Sequence, residues 1–223
     1  MSGAEQRQQE PRAGEGAPQR SRPPVTYQAF LKDERTRRRF WARSAVGFER
    51  FRGAEPNAAH RALAGLEACG CLDTLITQNV DRLHHRAGHR SVIELHGSLH
   101  RVRCLECGES EARSELQARL LAQNPGFLRR QAQELPDGDA ELDEGDELEF
   151  EPVDCRACGG VLKPDVVFFG ENVPKATVEA AYEALERAEV FLVVGSSLAV
   201  FSGFRFVRRA QQREIPVAIV NLG

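Results

Sequence analysis

Apolar residues along the chain fall into two kinds of segment. Short apolar segments at residues 72–76, 190–194 and 216–221 have the length and flanks of strands, and the first two read as buried strands of a parallel sheet. A further short apolar run covers residues 165–169. Between them lie longer stretches with helical spacing. Residues 27–44 place Phe30, Leu31, Phe40 and Trp41 on one face. Pro56-Asn57 opens a helix over residues 58–69, which Gly70 stops. Residues 114–123, 176–188 (after Pro174, a permitted first position) and 201–213 read as further helices. Strands alternating with helices predict an α/β fold, a Rossmann-type and largely parallel sheet with right-handed crossovers.

Two stretches carry no such pattern. Residues 1–24 are rich in Gly, Pro, Gln, Arg and Glu and read as disordered. Gly14 and Gly16 follow no strand, which argues against a phosphate loop. Residues 134–151 hold ten acids and no lysine or arginine, and read as a mobile acidic loop, with docking of basic peptides as the alternative.

Composition narrows the function classes. With 223 residues and 41% hydrophobic content the chain can bury a real core, as one large domain or one domain plus a small module. A net charge of −3 gives no electrostatic case for nucleic acid. The apolar runs are too short to span a membrane, and no secretory signal is visible, so the cytoplasm of a bacterium, or the mitochondrial matrix of a eukaryote, is the expected compartment. In that setting six cysteines, four of them in CxxC pairs, suggest metal binding rather than disulfides.

Those pairs are Cys104-x-x-Cys107 and Cys155-x-x-Cys158, with 47 residues between them. Their spacing is that of a structural zinc site, in which four thiolates complete the tetrahedron and leave no place for a reacting water; two redox pairs are the alternative. The predicted layout is a core of residues 25–103 and 161–223 with a zinc module at 104–160. Cys69 and Cys71 lack that spacing and read as buried structural thiols. The cluster Arg35, Arg37, Arg38 and Arg39 reads as a solvated helix face.

Candidate chemistry sits at strand ends. Gln78, Asn79 and Asp81 crowd the loop after the strand at 72–76, where open α/β sheets bind ligands; an Asx-type turn would also use such residues. His96-Gly97 follows at a second strand end, either as a base or as a structural histidine. Gly195-Ser196-Ser197 offers backbone N–H groups and hydroxyls at a strand-to-helix junction, which suits an anion or a sugar, or an ordinary helix cap.

Taken together, Thr77-Gln78-Asn79-Val80-Asp81, His84, Ala87-Gly88, His96-Gly97, the four cysteines, the run from Lys163-Pro164-Asp165 to Gly170-Glu171, Val194-Gly195-Ser196-Ser197-Leu198 and Val220-Asn221 resemble the sirtuin family, the NAD-dependent protein deacylases. The resemblance runs over residues 25–223, and the long insert between the CxxC pairs looks like the class II, sirtuin 4-like branch. It implies NAD and one structural zinc as cofactors and an acylated-lysine protein or peptide as partner. It implies Gln78, Asn79 and Asp81 at the nicotinamide and ribose side, Gly195, Ser196 and Ser197 at phosphate and ribose, and Asn221 at the adenosine ribose. His96 would be the general base. Val166, Phe168 and Gly170 would pair with the substrate backbone, and Val200, Phe168 and Phe169 would wall the acyl tunnel. The family's Gly-Ala-Gly-x-Ser loop and the Asp-Phe/Tyr-Arg segment have no match in residues 1–24, and the family continues past the position of Gly223. The resemblance therefore implies a chain shortened at both ends and impaired in binding NAD. An inactive acyl-lysine binding module, a zinc-ribbon interaction protein and a protein ADP-ribosyltransferase are the rival readings.

Overall fold

The computed structural model describes residues 24–129, 133–134, 140–141 and 144–221. The expected disordered segment lies outside these residues except for Pro24, as does part of the acidic stretch. The helix predicted over 27–44 is two: α1 (Tyr27–Lys32) and α2 (Glu34–Gly53). Asp33 divides them. Its extended backbone (φ −121°, ψ 113°) lets its carboxylate accept from the N–H groups of Arg35 and Thr36, so it caps α2. The basic cluster on α2 is only in part solvated: Arg38 pairs with Glu34, whereas Arg37 is half-buried and donates to the carbonyls of Phe30 and Leu31.

Helix α3 (Ala58–Ala68) starts at Asn57, whose side chain accepts from the His60 N–H. Cys69 and Cys71 lie beyond its last turn and are exposed, which overturns their reading as buried thiols. The helix ends before them, and the following turn carries both side chains into solvent.

Then come β1 (Leu75–Thr77), α4 (Leu83–Arg86), β2 (Val92–Glu94), β3 (Gly97–Cys104), β4 (Ser110–Ala112) and α5 (Arg113–Gln123). They are followed by the short strands β5 (Gln133–Glu134) and β6 (Ala140–Glu141), then α6 (Glu144–Glu149) and β7 (Leu162–Val166). The chain finishes with α7 (Lys175–Glu186), β8 (Phe191–Val194), α8 (Phe201–Gln212) and β9 (Val217–Val220). No helix among the described residues is long and apolar enough to cross a membrane.

The α/β arrangement has two parallel ladders, β1–β2 and β8–β9, and an antiparallel sheet in the order β4-β3-β7. A core of Trp41, Val102, Leu116, Leu120, Phe127, Phe150 and Leu162 joins α2, α5 and the antiparallel sheet. A second, around Leu95, Ala181, Leu185, Phe206 and Ala210, joins α7 and α8 to the ladders. The strand predicted as buried at 190–194 is not: within β8 only Val193 is buried, and all of β9 is exposed. Among the described residues, α7 and α8 cover one side of these strands, and β8 borders an open cleft on another.

The acidic stretch is tied to the body of the protein where it is described. Glu147 is buried and pairs with buried Arg43 at 2.7 Å, and Phe150 is fully buried beside Phe127. A loop read from charge alone thus contains an ionic and an apolar anchor, and Glu151 adds hydrogen bonds to Asn124 and Gln123.

Candidate active site

A cleft of about 1330 Å³ lies between the parallel ladders, lined by every residue of β1 and β8 and none of β2 or β9. Its size exceeds the usual 300–1,000 Å³ of small-molecule pockets, room for a dinucleotide and the end of a peptide. Parallel pairing explains why its rim is polar. Because β1 and β2 run the same way, in register from Leu75 opposite Val92 to Thr77 opposite Glu94, both end at one edge. There β1 delivers Gln78 and Asn79, β2 delivers His96, and β8 delivers Gly195, Ser196 and Ser197. Gln78 Nε2 lies 3.4 Å from Ser196 Oγ, so the two ladders meet at this edge.

His96 is half-buried, and its Nε2 lies 2.8 Å from Ser202 Oγ near the start of α8. Burial holds the imidazole below its ordinary 6.5, with the positive charge of Arg205 acting the same way and a backbone hydrogen bond at Gln78 opposing. The ring is therefore neutral at pH 7. Gly97 lets the chain turn here: its φ is +76°, and a Cβ on it would stand 2.1 Å from the Asp165 carbonyl oxygen.

The 166–171 segment forms a second wall. Buried Lys163 pairs with Glu171 at 2.9 Å, and Glu171 in turn accepts from the Phe168 N–H at 2.8 Å. The Phe168 ring packs edge-on against Phe30 at 5.3 Å between centroids. The Gly170 carbonyl accepts from Gln28 Nε2. Val166, Phe168, Phe169, Gly170 and Val200 all line the cleft, with Phe169 and Val200 well exposed.

Two expected residues stand apart from the cleft surface. Asp81 does not line it; its carboxylate accepts from the Leu83 N–H at 2.9 Å, the Asx-type turn that was the alternative reading. Asn221 does not line it either, and its Nδ2 lies 3.5 Å from the Ser196 carbonyl behind the serine loop. The helix after Gly195-Ser196-Ser197 starts only at Phe201, so this triplet is a loop and not the helix cap. The sequence reading missed Ser202 and Arg205. Their spacing of three along α8 puts both toward the cleft, but only the Ser202 hydrogen bond to His96 and the charge of Arg205 acting on that ring distinguish them from an ordinary helix face. His84 lines the cleft too, tilted against His60 and edge-on to His89 with centroids 4.6 and 5.3 Å away.

At the far end of β3 the sulfurs of Cys104, Cys107, Cys155 and Cys158 all lie within 4.8 Å of one another. Cys104 and Cys158 are 3.5 Å apart, Cys107 and Cys155 3.7 Å. Zinc–sulfur bonds of about 2.3 Å give a tetrahedral sulfur–sulfur edge of about 3.8 Å, so the donor set fits zinc. The pairing of Cys104 with Leu162 holds the two knuckles side by side.

A profile of the Sir2 family, by its description, matches residues 19–202. NAD-dependent protein deacetylase 2 of Bradyrhizobium diazoefficiens is 57% identical over 200 residues, covering 90% of this chain and 73% of that protein. The NAD-dependent protein deacetylase of Xanthomonas axonopodis pv. citri is 54% identical over 200 residues, 90% of this chain and 68% of its own length. Among solved structures, Sir2 with an inhibitor, 2′-O-acetyl-ADP-ribose and a deacetylated peptide superposes with a TM-score of 0.69 at 29% identity, covering 89% of this chain and 72% of that one. Sir2 bound to an acetylated peptide gives 0.69 at 29% identity, with 89% and 71% covered. With a family profile over most of its length and relatives above half identity, the chain belongs to the Sir2 family.

Proposed function

We infer that this chain is an NAD-dependent protein-lysine deacylase, a deacetylase in the first instance, acting on acylated-lysine proteins or peptides. The observation that carries the reading is a neutral, half-buried His96 on the same rim as Gln78, Asn79, Ser196 and Ser197. Relatives named as NAD-dependent protein deacetylases support it. Bound in the cleft, NAD would supply an electrophilic ribose carbon with nicotinamide as its leaving group. His96 accepts a proton at Nε2 from a hydroxyl brought to that atom, where Ser202 now hydrogen-bonds. Gln78 and Asn79 orient the nicotinamide and ribose end, and Asp81 acts through the turn that shapes their loop. Gly195, Ser196 and Ser197 would hold phosphate and ribose, and Asn221, expected at the adenosine ribose, acts through its hydrogen bond to the Ser196 carbonyl of that loop. Val200, Phe168 and Phe169 exclude water from the acyl chain, and the backbone of Val166, Phe168 and Gly170 receives the peptide as an added strand. The four cysteines hold a structural zinc in a module over residues 104–160, inserted in a core of 25–103 and 161–223. A reducing, cytoplasmic compartment accords with thiolates kept as ligands.

The test is incubation with NAD and an acetyl-lysine peptide, following nicotinamide release and peptide mass together. The expected products are free nicotinamide and a deacetylated peptide in equal amounts. A melting temperature raised by NAD with no product would favour a binding module, and nicotinamide release with ADP-ribose left on a protein would favour an ADP-ribosyltransferase.

A further inference from the structure

We propose that the pocket between α7 and α8 is a second binding site, for a small phosphate monoester carried on a planar ring. The inference is independent of the deacylase reading. The pocket encloses about 490 Å³, a small-molecule size, and is lined by Tyr182 from α7 and by Phe201, Arg205, Arg208, Arg209 and Gln212 from α8. Positions 205, 208, 209 and 212 follow the spacing of one helix face, so α8 brings three guanidiniums and an amide to one wall. No carboxylate lines it. Glu186 on α7 pairs with Arg209 and also feels the charge of Arg213, so one carboxylate serves two arginines. Among the described residues no ion pair neutralises Arg205 or Arg208, and Arg205 Nε is closed to water with no hydrogen-bond partner. A chain of net charge −3 thus keeps a pocket with unmatched positive charge.

Charge and shape select the ligand. A carboxylate is satisfied by a single arginine in bidentate fashion, which would leave the neighbouring guanidiniums unmatched. A phosphate monoester carries about −1.5 to −2 charge at pH 7 and has three acceptor oxygens, enough for more than one guanidinium. The aromatic walls fit more than inorganic phosphate. Phe201 is 58% exposed, and the Arg205 guanidinium lies 5.2 Å from its ring centroid. Tyr182 is held edge-on by Phe206, with centroids 5.1 Å apart. A planar ring set against Phe201 covers exposed apolar surface while its phosphate satisfies the orphan donor of Arg205. Arg205 and Phe201 also line the cleft, so the two sites share a wall.

The probe is phenyl phosphate, titrated into the full chain with zinc bound at constant ionic strength and followed by phosphorus NMR. Inorganic phosphate and sulfate serve as ring-free comparisons. Binding should saturate at one site per chain, about tenfold tighter for phenyl phosphate than for inorganic phosphate, the scale of one aromatic stacking contact. Arg208→Ala should weaken phenyl phosphate at least about tenfold, the loss of a hydrogen bond between charged groups. Arg208 is exposed and lines this pocket but not the cleft, so the variant should keep the wild-type circular dichroism and zinc content. Ser196→Ala, in the serine loop of the cleft, should bind the probe as the wild type does. Equal affinity of the wild type and Arg208→Ala, or loss of binding in Ser196→Ala, would overturn the proposal. So would uptake that never saturates and is matched by sulfate, which means an adventitious ion only.

Discussion

The cysteine end and the cleft end of this molecule are built on opposite plans. At the cysteine end, side chains from α2, α5, β3, β7 and the acidic segment close on one another, and Ala42, Ala45, Val102 and Phe150 are each 0% exposed. At the cleft end the buried cluster is small, and Leu192, Val194, Val217, Ile219 and Val220 remain exposed on β8 and β9. The first region has little apolar surface left to bury. The second keeps apolar strand surface and half-buried polar groups facing open space, which is where a ligand gains most from desolvation. Rigidity and chemistry are therefore separated in space, with β3 running from His96-Gly97 at one end to Cys104 at the other.

The sharpest way to break this contrast is to remove a metal ligand. Cys107→Ala should release zinc and unfold the cysteine end, because metal binding and folding are coupled there, with apparent binding energies of about 10–16 kcal/mol in small zinc modules. Metal analysis and circular dichroism on the same sample would check it; a variant that stays folded without zinc would show that the apolar core suffices. Next in size is His96→Ala. It should lower turnover by about two to four orders of magnitude while peptide affinity and zinc content stay unchanged. Near-normal turnover would remove His96 from the proton transfer.

Legibility differed between the two ends for physical reasons. Metal ligands are readable because spacing is the constraint: a CxxC pair reports its own geometry, and all four sulfurs meet as read. Strand-end placement was readable too, since a parallel ladder must deliver its terminal residues to one rim, which gave Gln78, Asn79, His96 and the serine loop. Partners distant in sequence were not. Ser202 faces His96 across 106 positions, and no local pattern marks that. Asp33 split a helix because a cap depends on one residue's backbone, which the apolar spacing on either side does not report. Cys69 and Cys71 were assigned by residue type, whereas their exposure depends on where α3 stops.

The Arg43–Glu147 pair tests how much of the closed end is ionic. With both side chains almost fully buried and 2.7 Å apart, truncating one removes a close opposite charge from the other in a place that water does not reach. Glu147→Ala should cost about 3–5 kcal/mol in unfolding free energy, the range for breaking a buried pair. Turnover by folded protein at low temperature should hardly change, since neither residue lines the cleft. Chemical denaturation with an unaltered midpoint would mean that Phe150 and the hydrogen bonds of Glu151 to Asn124 and Gln123 hold the acidic segment without the ion pair.

The smallest effect concerns acid and the cleft end. Burial, then the neighbouring His60 and His89 rings, lower His84 from 6.5 to about 4. In the unfolded chain the same ring takes up its proton near 6.5. Between these values the unfolded state binds more protons than the native state, so stability must fall as pH drops from about 6.5 to about 4 and level off below. Above 6.5 the group contributes no pH dependence. Acid reaches the cysteine end through a different route, by protonating metal-bound thiolates, and the two can be separated by difference. Denaturation midpoints measured from pH 7.5 to 4.5 should decline more steeply for the wild type than for His84→Gln, with zinc release superimposed equally on both. Parallel curves would mean that the imidazole cluster beside the cleft relaxes on protonation, and that the acid sensitivity of the fold resides in groups other than His84.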